Sequence, residues 1–131
     1  MQFLPNILYG ILAILGVSLL VTIHEFGHYI VARAFGMRVQ VFSIGFGKTI
    51  AEWRPRGSET KFQIGRVPIL AYVRVAGMDP REPCDPNDRG CYMNAPPLAR
   101  FCMIAAGPLA NYLAAMIIVF GLFFVGGEPT A

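Results

Sequence analysis

Residues 20–33 read Leu20-Val21-Thr22-Ile23-His24-Glu25-Phe26-Gly27-His28-Tyr29-Ile30-Val31-Ala32-Arg33. They lie inside one apolar stretch that runs from Ile7 to Phe35, with Pro5 just before it. A bilayer core of about 30 Å takes roughly 20 helical residues, so a span over about residues 7–35 has length to spare. His24, Glu25 and His28 are the only charged or histidine side chains in the first 32 residues. Ionisable groups are expensive within a span and tend to mark function. The stretch lacks a basic leader segment and continues through Glu25 to Arg33 without an evident cleavage site, so it does not read as a signal peptide.

Working outward, the distribution of charge sets the topology. All eleven Lys and Arg fall between Arg33 and Arg100, and residues 101–131 carry a single charge, Glu128. Two uncharged ends around a basic middle predict two spans joined by a cytoplasmic loop, with both termini on the far side. The composition agrees: 55% hydrophobic, 15% charged and a mean hydropathy of +0.52, against about 25% charged residues in soluble domains. The basic balance does not point to nucleic acid, because the loop mixes six acids with its eleven bases and has no dense basic run. The expected fold is therefore a mainly α membrane protein, with two transmembrane helices joined by a β-rich, membrane-associated cytoplasmic loop.

The loop divides in two. Residues 39–78 are β-rich: Ile50–Arg54 and Lys61–Arg66 read as a hairpin across Pro55–Ser58, and Ala71–Val75 as a further strand. Residues 79–97 are rich in Pro, Asp and Asn and read as polar loop. The second span covers about residues 101–125. Cys84 and Cys91 have six residues between them in the loop, which matches no common zinc spacing. In a cytoplasmic loop they are expected as ordinary thiols rather than a disulfide.

His24 and His28 are four residues apart, so on a helix both imidazoles project from one face. That spacing can give two ligands to one Zn²⁺, and Glu25 stands beside them as a candidate base for activating water. His24 precedes Arg33 by about 14 Å of helix and His28 by about 8 Å. The site is thus expected within hydrocarbon depth near the cytoplasmic face, reached by a water-filled cavity. In the second span, Gly107, Asn111 and Ala115 share a face beside a small stripe of Ala106, Ala110 and Ala114. Small residues let membrane helices approach closely. This span is expected to pack on the first with Asn111 near the histidines, as interhelical glue or as a substrate-positioning group. Pro108 removes one backbone donor near its start.

Three segments in this order, His24–Arg33, Phe42-Ser43-Ile44-Gly45-Phe46-Gly47 and Ala106-Gly107-Pro108-Leu109-Ala110-Asn111, resemble the N-terminal part of the site-2 protease family, the intramembrane zinc metalloproteases of peptidase family M50. The resemblance implies a zinc-dependent endopeptidase that cuts transmembrane segments of membrane proteins, with His24 and His28 as zinc ligands and Glu25 as general base. It implies that Phe42–Gly47 belongs to a membrane-associated β-hairpin. Gly45, Phe46 and Gly47 are then candidates to position an unwound substrate along an exposed strand edge, or glycine-bearing turn residues with no such part.

The chain departs from that pattern. A catalytic zinc normally has three protein ligands, and the family's third, an Asp in a Leu-Asp-Gly motif on a later span, is absent from these 131 residues. Leu70-Ala71 also stands where the family usually has Gly-Gly. Residues 1–131 are therefore expected to be the N-terminal part of a longer enzyme, or one half of an enzyme whose separately encoded C-terminal half supplies the Asp. The alternative is a catalytically incomplete, membrane-embedded binding or scaffold relative.

Overall fold

A computed structural model describes residues 1–127. Its elements follow the order α1 (Phe3–Ala34), β1 (Val39–Trp53), β2 (Lys61–Val75), a 3-10 turn at Tyr92–Asn94 and α2 (Pro97–Gly126). Both helices are long and apolar enough to cross a membrane by length and composition. Each starts four residues earlier than its apolar run, α1 at Phe3 and α2 at Pro97. Asn6 and Arg100 interrupt the apolar runs without ending the helices, and Pro97 at the first turn of α2 fits a position whose donor is unpaired anyway.

The end of α1 is set locally. Gly36 takes a left-handed φ of 76°, Gly36 N–H donates to Arg33 C=O at 3.1 Å and Met37 N–H to Ala32 C=O at 2.9 Å. This is the Schellman arrangement, with buried Met37 and Ala32 in its hydrophobic contact. It turns the chain directly into β1. Ala32, Met37 and Val39 then join Val75, Ala95, Ala99 and Met103 in one core cluster. This cluster ties the C-terminal end of α1 to the N-terminal end of α2.

β1 and β2 form one bent sheet. The hairpin expected across Pro55–Ser58 is present, with Trp53 opposite Phe62 and Thr49 opposite Gly65. The strand expected at 71–75 is the second half of β2, and both strands bend back on themselves. Val41–Ile44 consequently faces Lys61–Ile64 on one side and Ala71–Arg74 on the other. The bends meet at Gly45 (φ 89°) and Gly65, where a Cβ on Gly65 would lie 2.7 Å from Gly45 carbonyl carbon. Only glycine fits that crossing.

The sheet lies along α1. Phe26 and Tyr29 of α1 pack with Phe42 and Phe62, and Trp53 stacks on Phe62 at 5.8 Å. At the far end Ser18 Oγ donates to Pro68 C=O. Ser18 lies six residues before His24, about 9 Å of helix, so the sheet reaches past the histidines along α1.

One expectation is corrected. Cys84 and Cys91 form a disulfide, with Cα atoms 6.4 Å apart. Spacing and compartment predicted free thiols, but the segment after β2 folds back on itself. Tyr92 N–H donates to Ala76 C=O at 2.8 Å, and Gly77 (φ 72°) sits beneath the sulfurs, 3.1 Å from Cys84 Sγ to where its Cβ would be. Arg38 pairs with Asp88 in the same loop. The Gly90 N–H, then the Arg38 side chain, hold the Asp88 carboxyl below its ordinary range.

Candidate metal centre

The two helices cross at the histidine motif. A Cβ on Gly27 would lie against Ala106 C=O and 2.7 Å from Ala110 Cβ. The glycine inside His24–His28 and the small stripe of α2 are therefore what let the backbones approach. Gly107 is next to this contact. A Cβ on Gly107 would stand 2.5 Å from His24 Nε2 and 2.5 Å from His28 Nε2. Both imidazoles thus point their Nε2 atoms at one place on α2 that carries no side chain.

Their other nitrogens are also met by α2. His28 Nδ1 lies 2.7 Å from Met103 C=O. His24 Nδ1 lies 3.2 Å from the Asn111 amide. Met103, Gly107 and Asn111 are spaced by four, one stripe along α2, which extends the stripe seen in the sequence by one turn. Its middle member leaves room where its outer members make contact.

Ligand atoms of His24, Glu25 and His28 all fall within 4.8 Å of one another, each residue half-buried. The donor set suits a divalent metal with nitrogen and oxygen preference, and zinc in particular. The His28 Nδ1 contact with Met103 C=O fits that role. A metal-ligating histidine normally donates its other N–H to a carbonyl or carboxylate, which fixes the tautomer. Two imidazoles and an adjacent carboxylate can hold a metal and move a proton.

A cavity of about 410 Å³ opens at Glu25 and His28, lined also by Tyr72, Val73, Met78, Met103 and Ile104. Its sheet side is the outer half of β2. Gly45, Phe46 and Gly47 do not line it. Val41–Ile44, leading into them, is paired on both sides, and among the described residues no strand covers the outer side of Ala71–Arg74. The open edge beside the histidines is therefore 71–74. Tyr72 on that edge accepts a hydrogen bond from Gln63 Nε2 at 2.7 Å, and buried Ser43 accepts from the same nitrogen at 3.4 Å. Tyr72, Met103 and Ser18 were not singled out from sequence. No local pattern marks a residue whose part depends on strand order or on a backbone carbonyl.

The arrangement defines a class, a metallopeptidase-type helix motif braced by a second apolar helix and a short sheet. The model for peptidase family M50 matches residues 12–130. The chain belongs to peptidase family M50. It is 40% identical over 133 residues to a protein of Chlamydia trachomatis named "Putative zinc metalloprotease", covering 95% of this chain and 21% of that protein. It is 40% identical over 129 residues to Protease RseP of Yersinia pestis, covering 95% of this chain and 28% of the relative. A "Putative zinc metalloprotease" of Rickettsia conorii matches at 40% over 119 residues, 88% of this chain and 33% of its own length. The chain thus spans about a fifth to a third of the length of these relatives.

Proposed function

We propose that this chain is the N-terminal part of the membrane domain of a zinc-dependent endopeptidase that cleaves transmembrane segments of other membrane proteins. The observation that carries this reading is the shared cavity, where Glu25 and His28 face Tyr72 and Val73 of an open strand edge. Family membership supports the chemistry, and the two apolar helices support a bilayer location.

In this reading His24 and His28 hold zinc through Nε2. The bound metal supplies Lewis-acid chemistry, polarising the scissile carbonyl and making water a better nucleophile. Glu25 takes the proton of the attacking water and returns it to the leaving amine. A third ligand comes from outside residues 1–131. The loop between α1 and α2 is cytoplasmic and both ends of the chain are not, because the basic residues crowd between Arg33 and Arg100. The site then lies below the cytoplasmic interface.

A peptide bond inside a helix is shielded by its own hydrogen bonds. An unwound substrate segment pairs instead with Ala71–Arg74, adding a strand to the free edge and laying its backbone along the cavity. This places substrate contact on β2, with Gly45, Phe46 and Gly47 shaping the bend that leaves that edge open.

The test is Glu25→Gln in the whole reading frame, with cleavage of a membrane substrate and bound zinc both measured. Cleavage falls by at least 10²-fold while zinc stays bound. Undiminished cleavage would refute the assignment of Glu25 and favour a binding protein whose motif is not catalytic.

A further inference from the structure

We infer that Asn111 is a positioning residue for His24: its amide oxygen accepts the His24 Nδ1–H and so holds the Nε2 lone pair toward the metal. This rests on the zinc reading above and deepens it.

Asn111 contacts His24 Nδ1 at 3.2 Å through the atom assigned as Nδ2. The atom assigned as Oδ1 is buried and has no hydrogen-bond partner. In that orientation Nδ1 is the acceptor, so the proton of a neutral imidazole sits on Nε2 and blocks it as a ligand. Rotating the amide by 180° exchanges its two ends, which are nearly isosteric and are assigned from the surrounding network. The oxygen then accepts from Nδ1–H, and the amide nitrogen takes the buried place the oxygen held.

The neighbouring histidine supports the same choice. His28 Nδ1 faces Met103 C=O at 2.7 Å, and a carbonyl can only accept. His28 must therefore carry its proton on Nδ1 and leave Nε2 free. Both Nε2 atoms point at the place Gly107 leaves empty. Only the rotated amide gives the two rings the same tautomer and makes both available to one metal.

Asn111→Leu removes both polar ends at similar volume, whereas Asn111→Asp keeps the acceptor and loses the donor. Each variant is made in the whole reading frame, purified in detergent, and titrated with zinc against a chromophoric chelator. Asn111→Leu weakens zinc by about 10–100-fold, the range for removing a partner of a ligating histidine. Asn111→Asp stays within about threefold of the parent. A leucine variant that binds zinc like the parent overturns the inference. So does an aspartate variant as weak as the leucine one, because then the amide donor or simple packing matters. His24→Ala separates this from the underlying reading. If that change leaves zinc binding intact, the metal site itself is wrong; if it abolishes binding while Asn111→Leu does not, only the role of Asn111 falls.

Discussion

Gly107→Ala is the smallest change that probes the metal centre, and its effect can be worked from distances. The added Cβ meets His24 Nε2 and His28 Nε2 at 2.5 Å and His28 Cε1 at 2.7 Å, where ordinary contact begins at 3.4 Å. Either the rings or the helices must give by about 0.9 Å, a shift several times the roughly 0.2 Å tolerance of a metal–ligand distance. The rings cannot swing aside freely, because Met103 and Asn111 hold their far nitrogens. Nor can the helices part easily, because Gly27 sits against Ala106 and Ala110. Ala favours a helix interior over Gly by about 0.8–1.0 kcal/mol, so propensity alone works in the variant's favour. We expect zinc affinity to fall at least tenfold and kcat/KM toward a membrane substrate by about 10²-fold, the usual loss for a 1 Å misplacement at a reacting centre. Gly121→Ala on the same helix, with nothing within 4 Å of its Cβ, should change neither. Zinc titration and initial rates on both variants decide the matter. A Gly107→Ala enzyme with zinc affinity and rate within threefold of the parent would refute the claim that the imidazoles converge there.

Two further outcomes follow from the same contacts. Gly27→Ala puts a methyl against the Ala106 carbonyl and 2.7 Å from Ala110 Cβ, so it should cost about 1–3 kcal/mol by overpacking. A melting temperature in detergent unchanged from the parent would show that the helices do not cross there. Exposed Arg56 lies in the loop at the hairpin turn, and Arg56→Cys should react with an impermeant maleimide from the cytoplasmic side of membrane vesicles only. Labelling from the opposite side would reverse the orientation drawn from charge, and would suit the Cys84–Cys91 disulfide, which favours an oxidising compartment.

What the sequence conveys depends on how local the cause is. His24, Glu25 and His28 stand on one helix, so four-residue spacing brings them together whatever the rest of the chain does. The nearness of Asn111 was legible because small residues at 106, 107 and 110 predict a close helix pair. Strand order was not. Residues 39–78 read as β-rich and Ala71–Val75 as a strand, but nothing local says that Val41–Ile44 lies in the middle of the sheet and 71–74 at its edge. That order depends on the bends at Gly45 and Gly65, which bring distant segments side by side. The cysteines failed for the same reason. Spacing rules describe a chain that runs onward, and this one returns, with Tyr92 bonded to Ala76.

The site also explains why the motif and the small stripe belong together. Neutral histidine carries one N–H, and leaving it unpaired in a buried place costs about 1–3 kcal/mol. On a lone helix in lipid, His24 and His28 would both meet that cost, with Glu25 beside them adding a carboxylate. Water is the usual remedy, but water at both nitrogens would leave each tautomer unset. A second helix can supply the partners only if its backbone comes close enough for a carbonyl to reach an imidazole, as Met103 does at 2.7 Å. Gly27 facing Ala106 and Ala110 permits that approach. The same closeness would press a side chain against both Nε2 atoms unless the residue between Met103 and Asn111 had none, and that residue is Gly107. On the zinc reading proposed above, closeness, fixed tautomers and an open coordination space are one requirement, with α1 carrying His24, Glu25 and His28 and α2 carrying the groups that contact them.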